Sequence, residues 1–273
     1  MISAPKEVTV IQRGSHILGG IDPEACDSLA DALRADGIRI FTGTRLARIE
    51  RSQRRTHVVF EQDGREQIVE AAELLNALGR RPALHGIAGA GLSTRDGRIA
   101  VTPDQRTSHP HIFAAGDVCG PNDVVHEAIL QGEIAARNAA RHLGRLDGPD
   151  EKVDDRLGLF AVFTEPAFAL AGTSESELRR RGVAFRSASY PFADHGKSLV
   201  MGEPHGFVKL LTEASTGEIL GASVVGPDAS EIIHEIVVAM RFRATAAQLA
   251  STPHYHPTLS EIWTYPAEEL AGL

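Results

Sequence analysis

One segment near the carboxyl end, HYHPTLSEIW at 254–263, carries side chains that could move a proton. His254 and His256 flank a tyrosine, and Glu261 follows His256 by five positions. Histidine changes its charge near neutral pH, so an imidazole held by a carboxylate is a good general acid or base. A contact between Glu261 and one ring nitrogen of His256 would fix its tautomer and raise its basicity. The other nitrogen would then stay free for proton transfer.

The same segment fits two other interpretations. Pro257 biases the residue before it away from helical dihedral angles, and Thr258 with Glu261 three positions later is a capping box that opens a helix. On local pattern alone, a capped helix with two incidental histidines is the simpler interpretation. His254 and His256 could also be metal ligands on one side of a strand. No cysteine or further acidic ligand pattern stands beside them, so the sequence predicts no metal site.

A second candidate site is HPHIFAAGDVCG at 109–120. The apolar run IFAA predicts a strand that ends at Gly116 and Asp117, and a helix is predicted over 124–144. An aspartate at the carboxyl end of a strand can accept a hydrogen bond from a sugar-like hydroxyl. The N-terminus of the next helix offers positive potential to an electron-rich ring. A strand, loop and helix also close many α/β layers without binding anything.

Glycines and cysteines give weaker signals elsewhere. ALGRRP, around Gly79, fits a strand end followed by two solvated arginines. GIAGAGL at 86–92 does not join a strand to a helix, as a phosphate-binding loop must, so it predicts no such loop. Cys26 and Cys119 are the only cysteines and lie far apart in sequence, which predicts neither a disulfide framework nor a thiolate metal site.

Composition limits the class of protein. The 273 residues, 42% hydrophobic and 23% charged, are typical of a soluble globular chain with room for two compact units. A formal charge of −8 disfavours a surface for nucleic acid or anionic membrane. No apolar run reaches the ~18 to 20 residues that a membrane helix needs. The first residues contain no signal-peptide core or cleavage site, which predicts a cytoplasmic protein.

The elements that must position these motifs alternate between strand and helix in the first third of the chain. Such alternation, followed by a hairpin, is typical of an α/β fold with a parallel sheet and an antiparallel attachment. Asp22 and Pro23 fit the start of the helix and Gly37 its end. In order, the sequence predicts a buried strand at 7–13, a helix at 22–37 and a strand at 38–43. A hairpin within 55–71 is predicted to turn at Asp63-Gly64. The segment 73–84 is predicted to hold another buried strand, which ends at Gly79.

The last 120 or so residues predict an α+β domain. A charged segment with Gly and Pro at 145–156 marks its boundary. The strand-like runs are LFAVFT, AFRSASYPF, GFVKLLT and ILGASVVG, and the helical runs are SESELRRRG, ASEIIHEIVVAMRF and TAAQLA. One helix carries more than a narrow apolar stripe, so either part of its surface needs a partner or it is an internal core helix. The apolar residues of this helix are Ile232, Ile233, Ile236, Val237 and Met240.

The order of these motifs resembles one family, the FAD-dependent pyridine nucleotide–disulfide oxidoreductases, and most of all their dihydrolipoamide dehydrogenase and mercuric reductase branches. ALGRRP, IFAAGDV, a helix, an α+β domain and HYHPTLSE follow one another as in that family, over nearly all 273 residues. The resemblance implies a partial NAD(P)-binding domain at 1–82, a central FAD-contacting segment at 83–150, and a C-terminal dimerisation domain at 151–273 with an antiparallel sheet and helices.

The resemblance also implies which residues meet the cofactors. Gly79 lies by the nicotinamide, and Gln12 meets the adenine ribose. A glutamate at that position would favour NAD, so Gln12 followed by Arg13 leans toward NADP. In the family, the aspartate of the Gly-Asp pair binds the FAD ribityl chain and the residues that open the next helix lie by the flavin; the matching positions are Gly116, Asp117, Asp123, Val124, Val125 and His126.

The acid–base pair is the third implied site. His256 matches the family's acid–base residue and Glu261 matches its partner. Because the family forms head-to-tail homodimers, this histidine would serve the active site of the other subunit.

Three family features are absent from the sequence: the G-x-G-x-x-G loop of the FAD domain, the redox-active C-x4-C pair, and the second glycine loop. The chain therefore resembles the C-terminal part of such an enzyme, without the N-terminal FAD domain. The vicinal cysteines of mercuric reductases are absent too. Two functions follow. The chain could be part of an oxidoreductase that passes electrons from NAD(P)H through FAD to a disulfide, or the reverse. It could instead be an inert dimerisation scaffold.

Overall fold

The structure, a computed structural model, describes residues 7–52, 55–120 and 122–273. The chain divides into two compact units. The first contains residues 1–75 and 156–273, and the second contains residues 76–155. The division into three domains at residues 82 and 150 stays a prediction.

The first unit begins with a strand, a helix and a second strand, as predicted. Strand β1 (Thr9–Ile11) pairs in parallel with β2 (Arg39–Phe41), and helix α1 (Pro23–Ala35) lies between them in sequence. The prediction that β1 is buried is wrong, since Val8 is 45% exposed and Val10 36%. Only these two strands form the sheet within the described residues, so β1 has one neighbour and little cover.

Asp22 precedes α1 at the N-cap position, but its side chain caps a different helix. Its carboxylate accepts hydrogen bonds from the backbone N–H groups of Glu175 at 3.0 Å and Ser176 at 2.8 Å, in helix α3 (Glu175–Arg180). At α1 it makes no side-chain cap bond. The predicted role of Asp22 at α1 is therefore corrected: it joins α1 to α3 across more than half of the chain.

An antiparallel sheet of three strands follows β2. The predicted hairpin is confirmed, with β4 (Arg55–Gln62) and β5 (Arg65–Ala71) joined at Asp63 (φ 50°) and Gly64 (φ 73°). Strand β3 (Arg45–Ser52) was not predicted. All of its residues are exposed and half of them are charged, so it has no apolar alternation to indicate a strand.

The segment 73–84 is irregular, so the prediction of a buried strand there is wrong. Leu75 is 88% exposed and Leu78 is 82% exposed. No strand of the described chain pairs with this segment, and its leucines have no layer to pack against. Gly79 has φ +91°, a backbone conformation that glycine adopts without steric cost.

The second unit is built around one long helix. Helix α2 (Val125–His142) begins one residue after the predicted start and ends two residues before the predicted end. The prediction of a strand at IFAA (112–115) is wrong. Among the described residues, Phe113 forms a single antiparallel bridge, with Arg106. The other regular elements of this unit are short, namely β6 (Thr94–Arg95), β7 (Arg98–Ile99), and 3-10 helices at His85–Ala90 and Gly116–Val118.

Residues 156–273 form the predicted α+β arrangement. Five antiparallel strands are ordered β10-β11-β12-β9-β8, with ranges β8 (Leu159–Val162), β9 (Ala167–Gly172), β10 (Phe185–Pro191), β11 (Phe207–Glu213) and β12 (Ile219–Gly226). The helices after α3 are α4 (Gly196–Met201), α5 (Ala229–Arg241), α6 (Ala246–Ala250) and α7 (Thr264–Ala271), with a 3-10 helix at Ser260–Trp263. Strand β9 was missed because AFALAG is rich in Ala and Gly, which are depleted in strands.

The main core lies between this sheet and α5. Four of the five apolar residues named on α5 fill the chain's own core, as the alternative of an internal core helix predicts: Ile232, Ile233, Ile236 and Met240 are all buried. The large apolar side chains exposed at this helix are Val238 (57%) and Phe242 (79%). A smaller cluster joins α1 to the sheet, where Ala25 and Leu29 pack with Phe168 and Val225.

Candidate functional site

His256 and Glu261 form the predicted pair. Nδ1 of His256 lies 2.8 Å from Oε2 of Glu261. The imidazole is 78% exposed, whereas the carboxylate is only 11% exposed. Since a carboxylate can only accept, His256 donates from Nδ1 and its Nε2 faces outward with a free lone pair when the ring is neutral. A fixed, buried anion behind an exposed base is suited to proton transfer with a bound molecule.

The capping box is present in the same residues. The Thr258 N–H donates to Glu261 Oε1 at 3.3 Å, and the Glu261 N–H donates to the Thr258 hydroxyl at 3.4 Å. The chain then forms the 3-10 helix at 260–263 before α7 begins. Glu261 therefore holds the loop and contacts His256 at the same time, so the two interpretations of this segment are not exclusive.

His254 has its own carboxylate. Its Nε2 lies 2.6 Å from Glu235 Oε1, and its Nδ1 lies 2.8 Å from the carbonyl oxygen of Thr252. Residues 253–259 have no regular secondary structure, so the two histidines do not share a strand face. Within the described part of the chain, no group of three or more His, Cys, Asp or Glu side chains is arranged to hold a metal ion.

A second histidine lies behind Glu261. His195 is buried, with its side chain 1% exposed, and its Nε2 lies 3.6 Å from Glu261 Oε1. Its Nδ1 lies 2.8 Å from the hydroxyl of Ser198. Burial lowers the pKa of His195, although the negative charge of Glu261 opposes that shift. Glu261 thus stands between an exposed imidazole and a buried one. Nothing in the sequence around ADHGKS indicated this contact.

The Gly-Asp turn is held by Gln131 of α2. The Gly116 N–H donates to Gln131 Oε1 at 2.7 Å, and Gln131 Nε2 donates to the carbonyl oxygen of Gly120 at 3.0 Å. Gly116 has φ +77°, and a Cβ there would lie 3.2 Å from the side chain of Ala128. Glycine is therefore favoured at this turn both by its backbone conformation and by the close approach of α2.

Arg98 is a further positioning side chain that the sequence did not indicate. Its guanidinium donates to both carboxylate oxygens of Asp123, at 2.7 and 3.1 Å, and to the backbone carbonyl oxygen of Asp117. The hydrogen bonds from Arg98 hold the pKa of Asp123 below its usual value. The Asp123 carboxylate is thus engaged in fixing the loop between the turn and α2.

The remaining residues of this candidate site face solvent. Asp117 is exposed, as are Val125 (76%) and His126 at the start of α2. Val124, the N-cap residue, has no side-chain oxygen to cap the first turn of the helix. The backbone N–H groups and the positive end of this 18-residue helix suit an electron-rich group. The exposed carboxylate and the uncapped helix end fit a flavin with a hydroxylated chain.

The resemblance implies two residues at the nicotinamide cofactor, and the structure describes both of them. Gly79 lies in the irregular segment, with nothing within 4 Å of the position where a Cβ would lie. Gln12 directly follows β1, and its Nε2 donates to the carbonyl oxygen of Ile17 at 3.4 Å. Gly79 and Gln12 belong to different compact units.

No helix in the described ranges is both long and apolar enough to cross a bilayer.

The chain matches two family profiles. Residues 160–267 match the pyridine nucleotide-disulphide oxidoreductase dimerisation domain, and residues 1–132 match pyridine nucleotide-disulphide oxidoreductase. The dihydrolipoyl dehydrogenase of Thermus scotoductus is 36% identical over 270 residues, which cover 97% of this chain and 57% of that protein. That of Staphylococcus aureus is 33% identical, covering 97% and 56%. The chain spans little more than half the length of these relatives.

Solved structures have the same fold. LpdA from Mycobacterium tuberculosis superposes with a TM-score of 0.84 at 31% identity, covering 97% of this chain and 56% of that one. RclA from Escherichia coli, an HOCl-induced flavoprotein disulfide reductase, has a TM-score of 0.80, covering 96% and 59%. At 24% identity, this second likeness shows the fold alone. The predicted α/β fold class with an antiparallel C-terminal domain is confirmed.

Proposed function

Because this chain belongs to the pyridine nucleotide–disulphide oxidoreductase family, we propose that it is the C-terminal portion of a flavin-dependent oxidoreductase. The enzyme would pass electrons from NAD(P)H through FAD to a disulfide, or from a dithiol to NAD+. The 2.8 Å contact between exposed His256 and buried Glu261 carries the proposal. A disulfide–dithiol exchange needs one proton taken from or given to a thiol, and an exposed imidazole backed by a carboxylate suits that step.

His256 is the proposed catalytic acid–base residue. As a neutral ring it would take a thiol proton on Nε2, and the resulting imidazolium would be stabilised by Glu261. In the reverse direction it would return that proton to the leaving thiolate. Glu261 also fixes the Nδ1–H tautomer, so that Nε2 is the nitrogen that meets the substrate.

FAD, when bound, would supply the relay of electrons between nicotinamide and disulfide. This chain would contribute one wall of its site. Asp117 would accept a hydrogen bond from the ribityl chain, and the N-terminus of α2, from Val124 to His126, would lie by the flavin ring. Arg98 supports this role because it binds both Asp123 and the Asp117 backbone, and so keeps the turn in place.

For the nicotinamide cofactor, Gly79 is proposed to lie by the nicotinamide ring and Gln12 by the adenine ribose. A carboxamide cannot accept from two ribose hydroxyls as well as a glutamate would. Gln12 followed by Arg13 therefore favours NADP over NAD in this proposal.

An inert scaffold is the second candidate function. The match of residues 160–267 to a dimerisation domain is the observation that supports it. The two candidates are tested by sequencing and expressing the codons upstream of this chain in frame. A product with both glycine loops and C-x4-C that reduces a disulfide with NAD(P)H supports the oxidoreductase. A reading frame that carries none of these favours the scaffold. The cytoplasmic location, and the lack of nucleic-acid and membrane partners, stay predictions.

We expect the 273-residue chain, purified alone, to be colourless. Flavin dinucleotides are held by their pyrophosphate at a helix N-terminus reached through a glycine-rich loop, and the sequence has no such loop. Absorbance spectra after gel filtration check this. A yellow protein with one FAD per chain would contradict it.

We also expect the chain to form a homodimer through residues 151–273, since 160–267 match a dimerisation domain. Light scattering at micromolar concentration should give about twice the chain mass of 29.3 kDa. Phe242→Asp should weaken the dimer, because this 79% exposed ring is among the apolar surface left open at α5. Ile68→Asp, in β5 and 60% exposed, is the control that should keep the mass. A monomer in the unaltered chain would refute the proposal.

A further inference from the structure

His195 has a buried polar atom with an incomplete set of partners. Its Nδ1 is paired with the Ser198 hydroxyl, whereas its Nε2 has no hydrogen bond among the described residues. The polar atom that faces Nε2 is Glu261 Oε1, at 3.6 Å. Buried polar atoms in proteins nearly always have a hydrogen-bond partner, so a buried imidazole nitrogen without one calls for a physical explanation. This nitrogen faces the carboxylate of the candidate catalytic pair.

The surroundings select one protonation state. His195 packs against the edges of the Phe192 and Tyr265 rings, with centroids 6.3 Å away, and Tyr265 stacks on Tyr190. Glu261, and His256 beyond it, are the charged or chargeable groups facing it from the HPTLSE segment. Desolvation by this aromatic packing disfavours imidazolium. Burial therefore favours the neutral ring, which has a single N–H.

The position of that hydrogen follows from the two partners. With the hydrogen on Nδ1, the lone pair of Nε2 would point at an anion. With the hydrogen on Nε2, the ring points a positive dipole at Glu261, and Ser198 can donate its hydroxyl hydrogen to Nδ1. The second arrangement satisfies both contacts.

We propose that His195 is a positioning residue, a neutral imidazole whose Nε2–H faces Glu261 and holds its carboxylate in the orientation that His256 uses. Oε1 is kept toward His195 and the Thr258 N–H, so Oε2 remains for His256. The buried carboxylate thereby gains a polar neighbour on the side away from solvent, where water cannot supply one.

The first test uses the 273-residue chain and needs no cofactor. Histidine-selective ¹⁵N NMR at neutral pH distinguishes the two tautomers of each ring. We expect His195 as the Nε2–H form and His256 as the Nδ1–H form. His195→Phe keeps the ring volume and removes the donor, and should shift His256 toward a mixture of tautomers. His195→Gln places an amide N–H near the former Nε2 and should restore the Nδ1–H form of His256.

Action through Glu261 is tested by combining the variants. In a Glu261→Gln background, His195→Phe should change the His256 tautomer no further, because the group it positions is gone. An Nδ1–H form at His195 in the unaltered chain overturns the proposal even if His195→Phe does not fold. So does a folded His195→Phe chain with the unaltered His256 spectrum.

The second test rests on the acid–base role proposed above for His256. In a full-length enzyme, His195→Phe should slow the disulfide–dithiol half-reaction by about tenfold, and His195→Gln by much less. If His256→Gln leaves that half-reaction unchanged, the proposed function is wrong. The NMR experiment still tests the positioning role of His195, because it does not depend on activity.

Discussion

In a full-length enzyme that contains this chain, His256→Gln should slow the disulfide–dithiol half-reaction by ~10²- to 10⁴-fold, the usual contribution of a positioned acid–base group. Flavin reduction by the nicotinamide should stay close to its unaltered rate. Hydride reaches the flavin on the nicotinamide side, whereas His256 is proposed to act on the thiol side. Rapid-mixing kinetics separate the two half-reactions.

Glu261→Gln is the matched comparison for His256→Gln. The amide still accepts a hydrogen bond from His256 Nδ1, but it lacks the charge that stabilises imidazolium, so its kinetic effect should be smaller. Because the Glu261 side chain also accepts from the Thr258 N–H, a loss of stability of about 1 kcal/mol is expected, as for a cap deletion. If His256→Gln changes neither half-reaction and melts as the unaltered protein does, His256 is a bystander beside a capped turn.

Asp22→Ala should destabilise the chain by about 2 to 4 kcal/mol. Asp22 is only 6% exposed, and its carboxylate accepts hydrogen bonds from two backbone N–H groups at the start of α3. Hydrogen bonds to charged groups contribute roughly 1.5 to 3 kcal/mol each, and water can replace part of that. The midpoint of thermal unfolding should fall by about 5 to 15 °C for a chain of this size.

Two variants make this result specific. Asp22→Asn keeps one acceptor oxygen without the charge and should cost about half as much. Asp31→Ala, also on α1 but 76% exposed and paired with Arg34 on the surface, should change stability by no more than ~0.5 kcal/mol. If the Asp22→Ala and Asp31→Ala chains unfold at the same midpoint temperature, the α1–α3 link contributes nothing to stability.

The elements that the sequence predicted well are those with a strong local signal. Helix α2 has apolar residues at helical spacing, and Asp63-Gly64 can form only a few kinds of turn. The failures come from context. Leu75 and Leu78 look buried from their type, yet no sheet covers them, whereas β3 is a strand because β4 pairs with it and not because of its own residues.

The contacts of the candidate site also divide into those with a local signal in the sequence and those that depend on tertiary packing. His256 and Glu261 are five residues apart, so their contact could be predicted from the segment itself and from the family it resembles. His195 lies 66 positions before Glu261 in the sequence, and Arg98 lies 25 positions before Asp123. Neither contact has a local pattern, because each depends on tertiary packing. For the same reason, Asp22 was expected to cap the helix that follows it and instead caps α3.

The first compact unit is discontinuous in sequence, and this has a consequence for synthesis. Asp22 leaves the ribosome 153 residues before the partner that it will bind in α3. At roughly 5 to 20 residues per second, that interval is about 8 to 30 s. During that time Ala25 and Leu29 of α1 have no sheet to cover them, because Phe168 and Val225 do not yet exist. The nascent chain must therefore carry an uncovered apolar helix face while the whole second unit is made, which is the kind of surface that chaperones bind.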